Sequence, residues 1–146
     1  MKRWLTACMM VVLLSSCAQK SVFEELADGA CNSEQAQLVN THISGQIDAI
    51  AKEKWELAYS FASEGFREGA SIGEFIFIIG AQYGMLVKNK SYEFDKCSIA
   101  NQQITQEVRV KSGKQVFDLY YTLSVNGIRL GVESATAAIS DNNLNA

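Results

Sequence analysis

Histidine occurs once in the 146 residues, at His42, and proline not at all. One histidine and no Cys-x-x-Cys pair leave no material for a metal site, so no metal or other cofactor is expected. There is no Gly-rich phosphate loop and no Ser-x-x-Lys, which removes the sequence signatures of P-loop nucleotide binding and of one class of serine acyl transfer. Basic residues number 13 against 16 acidic, and no basic patch is interleaved with aromatics, so nucleic acid is not an expected partner. Repeats and low-complexity blocks are absent. So is any long apolar run after the first 17 residues.

Those first residues carry the strongest signal in the chain. Met1-Lys2-Arg3 precedes an apolar run from Trp4 to Leu14, and small residues lead to Cys17. The pattern is that of a secretory signal peptide. Its core of roughly ten residues is short of the about 20 that span a bilayer. Leu14-Ser15-Ser16-Cys17 resembles a bacterial lipobox. The resemblance implies cleavage before Cys17 and a diacylglyceryl group on its thiol, so the membrane is the expected partner. Ala18 follows, where Asp would hold such a protein at the inner membrane. The expected location is therefore the outer membrane, facing the periplasm. A single-membraned host would instead display the protein outside the cell.

Residues 1–16 are thus read as signal, 17–31 as lipidated Cys and tether, 32–139 as one domain, and 140–146 as a disordered tail. Val22, Phe23 and Leu26 in the tether either dock on the domain or form a frayed turn. The signal takes two basic residues and no acidic ones, leaving a mature net charge of −5. Cys8 leaves with the signal and Cys17 takes the lipid. Cys31 and Cys97 then form an even pair in an oxidising compartment, expected to be a disulfide.

Asn32 with Gln35 suggests a capped helix start. Apolar residues from Leu38 to Phe61 recur at helical spacing, predicting one long helix over 34–61. Gly45 inside it suggests a bend or a close contact. Residues 63–69 read as a loop with one helical turn. Ser71 and Glu74 make a capping box for a second helix running to Val87. That helix is apolar nearly all round, which predicts burial on more than one side. Gly73, Gly80, Ala81 and Gly84 supply small surfaces where another backbone could approach. After Asn89 the period falls to two, with strands predicted at 91–100, 104–111, 115–125 and 128–136. Phe117, Leu119, Tyr121, Leu123 and Val125 line one face. Asn101-Gln102, Ser112-Gly113 and Asn126-Gly127 mark the turns, the last as a two-residue hairpin. The expected fold is α+β, with N-terminal helices packed on a four-stranded antiparallel meander.

Several stretches resemble the family catalogued as domain of unknown function 4864, within the nuclear transport factor two-like superfamily. They are Ile47-Asp48-Ala49-Ile50, Ala58 to Arg67, Phe75 to Gly84, and Asn126 to Val132. The chain differs in having Glu64, where that family commonly has Pro, and Gly127, where it has an aromatic. The resemblance implies a curved, cone-like sheet over a pocket. It lends no activity and no functional residue. The favoured reading is a lipid-anchored envelope protein with a small non-catalytic binding or scaffolding domain. Its partners are then an envelope protein or a small apolar ligand. The alternatives are a cone-pocket enzyme of isomerase or dehydratase type, and a structural partner in an envelope complex. Asp118 is the one candidate base, expected on the sheet face away from the Phe117 row and open to water. His42 sits at the edge of the apolar stripe and reads as a boundary residue. Tyr59, Tyr83 and Tyr120 are the candidate ligand contacts, with Tyr121 among the tyrosines able to line a pocket.

Overall fold

The computed structural model describes residues 21–140. The signal, Cys17 and residues 141–146 lie outside them. Helices come first, then an antiparallel sheet in the order β1-β2-β3-β4-β5. Its strands are β1 (Gly29–Ala30), β2 (Ser91–Ala100), β3 (Gln103–Ser112), β4 (Gln115–Asn126) and β5 (Arg129–Ile139). The sheet has five strands rather than the expected four. The extra one is β1, which pairs Gly29 with Ile99 and Ala30 with Ser98. The segment read as tether is therefore built into the fold as far back as the description goes. Phe23 and Leu26 are buried in the core. Gln35 donates from Nε2 to the Val22 carbonyl at 3.2 Å.

Helix α1 (Ser33–Ala51) starts on the reciprocal cap between Asn32 and Gln35. It stops well before residue 61. Glu53 turns left-handed at φ 52°. Its N–H then reaches Ile50 O at 2.9 Å, and Lys54 N–H reaches Ala49 O at 2.8 Å. These two bonds satisfy the last carbonyls and end the helix. A separate α2 (Trp55–Ser60) follows, which corrects the single-helix expectation. Gly45 marks a close contact: a Cβ there would stand 2.4 Å from Cζ of Phe61. Residues 63–69 are not a loop. Ser63 accepts from Phe66 N–H at 3.0 Å and starts α3 (Glu64–Gly69).

The Ser71–Glu74 box opens α4 (Ile72–Gln82) as expected. The helix breaks at Tyr83, and a short α5 (Gly84–Val87) completes the segment. The expected burial on more than one side does not hold. Phe75 and Ile79 are buried, but Phe77 is 75% exposed, because α4 packs by one side against α2 and α5 and its other side faces water. Nothing lies within 4 Å of a Cβ built at Gly80 or Gly84, so no backbone approaches there.

The strands keep the predicted parity. Leu119, Tyr121 and Leu123 face the helices together with Ile104, Val108 and Val110. The sheet's other face is wet. All three hairpins have two-residue loops. Asn101 and Gln102 both have positive φ. In the other two, glycine comes first: Ser112 pairs with Gln115 around Gly113-Lys114, and Asn126 pairs with Arg129 around Gly127-Ile128. The Asn-Gly turn is thus shifted by one, with Asn126 as the last paired residue. Only Gly127 of its loop is left-handed, as a Gly-first turn requires. Ser140, assigned to a disordered tail, is buried and donates to Val116 O at 2.9 Å.

Candidate functional site

Between the helices and the sheet is a cavity of about 160 Å³. Its floor is Tyr121, Val132 and Ala135. Ile50 from α1, Phe75 and Ile79 from α4, and Leu86 from α5 form apolar walls. A register shift in β5 opposite Thr122 and Leu123 bends the strand at Glu133, which borders the cavity. The β5 edge is held there by the corner between α2 and α3. Val132 N–H donates to Phe61 O at 3.0 Å, and Ser63 N–H to Val132 O at 2.9 Å. Gly131 permits this approach, since a Cβ on it would lie 2.5 Å from Ser63 Cα.

The polar groups of the cavity differ in how they are satisfied. Gln46 donates from Nε2 to Ala58 O at 3.3 Å. Tyr83 donates its hydroxyl to the Ala135 carbonyl. The Tyr121 hydroxyl is buried and has no hydrogen-bond partner. Burial pushes its pKa well above the ordinary tyrosine range, so it is held neutral as a donor. Its cross-strand neighbour is Gln106, whose Nε2 serves Asp95 O and Glu107 O at 3.2 and 2.9 Å. An unpaired buried hydroxyl costs about 1–3 kcal/mol. A bound molecule with an acceptor could satisfy it.

Of the predicted ligand contacts, one reaches this cavity. Tyr83 lines the cavity. Tyr59 does not: its hydroxyl donates to Ala70 O at 2.7 Å, and its ring packs edge-on against Phe75. Tyr120 is exposed on the outer sheet face. Asp118 is also on that face, as parity required, and accepts from Nε of Arg109 at 2.9 Å. Cys31 and Cys97 are joined as a disulfide with Cα atoms 5.4 Å apart. Cys17 lies outside the described residues. His42 is half-buried, with Nε2 donating to Phe61 O at 2.9 Å. Among the described residues, no three His, Cys, Asp or Glu side chains cluster to hold a metal. No helix among them is long and apolar enough to cross a membrane.

Residues 32–141 match the model of a family described as Domain of unknown function (DUF4864). No curated protein and no solved structure matches the chain.

Proposed function

The chain belongs to this DUF4864 family, and we propose that it is a lipid-anchored envelope protein whose domain binds a small apolar ligand without transforming it. The carrying observation is an apolar cavity bordered by Tyr121, whose buried hydroxyl has no partner. At about 160 Å³ the space is of the order that takes one six-membered ring. The ligand class is then a compact apolar body with one hydrogen-bond acceptor. Anchoring rests on the lipobox-like Leu14-Ser15-Ser16-Cys17.

Cyclohexanone and methylcyclohexane test the cavity, each against the wild type and Tyr121→Phe. Chemical-shift titration should show the ketone binding the variant about tenfold more weakly, as loss of one hydrogen bond gives. The hydrocarbon should bind both proteins alike. Equal ketone affinity in the two proteins, or no binding of the ketone to the wild type, would overturn the reading. Anchoring has its own test: radiolabelled palmitate should enter the wild type and be lost in Cys17→Ser.

A further inference from the structure

A second, larger concavity of about 620 Å³ lies between α1, the corner joining α2 to α3, and the β4–β5 turn. Its apolar residues include Phe23, Leu38 and Ile128. Phe23 is buried, but Leu38 is 41% exposed and Ile128 is 78% exposed. No other large apolar side chain among the described residues is as exposed as Ile128. Arg67 and Arg129 line the same groove. Glu64, also there, is engaged by Nδ2 of Asn126 at 2.8 Å. The acidic Glu24 and Glu25 follow Phe23 in sequence.

The chain leads directly into this groove. Phe23 lies six residues after Cys17. Fully extended, six residues reach at most about 20 Å. A lipid on Cys17 therefore holds this face, and not the opposite end of the sheet, beside the bilayer. We propose that the groove lies against the lipid surface, with Ile128 entering the headgroup region and Arg67 and Arg129 meeting lipid phosphates. This rests on the lipidation of Cys17. It goes beyond anchoring because it fixes which face of the domain meets the membrane and leaves the cavity's ligand site as a separate feature.

The test uses the mature lipidated chain in vesicles of phosphatidylethanolamine and phosphatidylglycerol doped with brominated phosphatidylcholine. Trp4 leaves with the signal, so Trp55→Phe gives a tryptophan-free background. Ile128→Trp and Ile139→Trp then place a reporter near each end of β5, about 30 Å apart. Bromine should quench the reporter at position 128 several-fold more than the one at 139. Equal quenching, or stronger quenching at 139, would overturn the proposal. A reporter at 128 that is shielded from aqueous quencher but untouched by bromine would also overturn it, in favour of a second copy or a protein in the groove. Flotation with the vesicles of the parent chain and of an unlipidated chain begun at Ala18, made without the signal, separates the two ideas. If both float alike or neither floats, the anchor itself fails and this orientation falls with it.

Discussion

His42 is held by one hydrogen bond and one edge-on ring contact, both to Phe61. Burial lowers its pKa below the ordinary 6.5, and the Phe61 bond opposes only part of that effect. The fold thus prefers the neutral ring. A proton taken up below pH 6.5 favours the unfolded chain, so this contribution is complete above that pH and declines as pH falls towards the folded-state value. Melting temperatures measured from about pH 7.5 to about pH 5 should fall more steeply for the wild type than for His42→Gln. Parallel curves would remove His42 from the account. At this scale the sequence was partly legible. Parity alone sent Asp118 to the wet face and Tyr121 inward. Arg109 as the partner of Asp118 needed the hairpin register. The orphaned Tyr121 hydroxyl needed the placement of three helices, which no local pattern encodes.

The end of α1 is the least predictable junction among the elements. Apolar spacing continues through Leu57, Ala58 and Phe61, so periodicity alone reads straight across the break. The residue that makes the turn is Glu53, and no Gly or Pro marks it. A non-glycine residue in the left-handed region is strained by roughly 1–2 kcal/mol. Glu53→Gly should therefore raise stability by about 1 kcal/mol, less what glycine loses in chain entropy. Denaturant melts check this, and a loss of stability would contradict it. The four long strands were readable because period-two patterns were punctuated by short turns. The strand β1 was not, since two residues cannot display a period. α3 was legible only as one helical turn within a loop, because its six residues carry no apolar stripe. Its one clue, Ser63 as a cap, looked like loop composition.

Across the whole molecule, the Cys31–Cys97 bridge ties the segment before α1 to the sheet, 66 residues away in sequence. The chain-entropy model gives a loop of that length about 4 kcal/mol of stabilisation. A Cys31→Ala, Cys97→Ala double variant should lose up to that amount in chemical denaturation. Thiol titration of the denatured mature wild type should find no free cysteine. Two reactive thiols would remove the bridge from the fold. Cys31 also donates its N–H to the Cys97 carbonyl at 3.0 Å, so backbone and side chain meet at one point. The arrangement has a mechanical consequence. Tension on the N-terminal end of the described chain would strip residues 21–30 from the core and from the short β1 ladder. It would then meet a covalent stop at Cys31. From there the load passes into the middle of β2 and spreads through the antiparallel ladder, instead of bearing on the Asn32 cap alone. A domain pulled by that end would give up residues 21–30 and keep the cavity between helices and sheet intact.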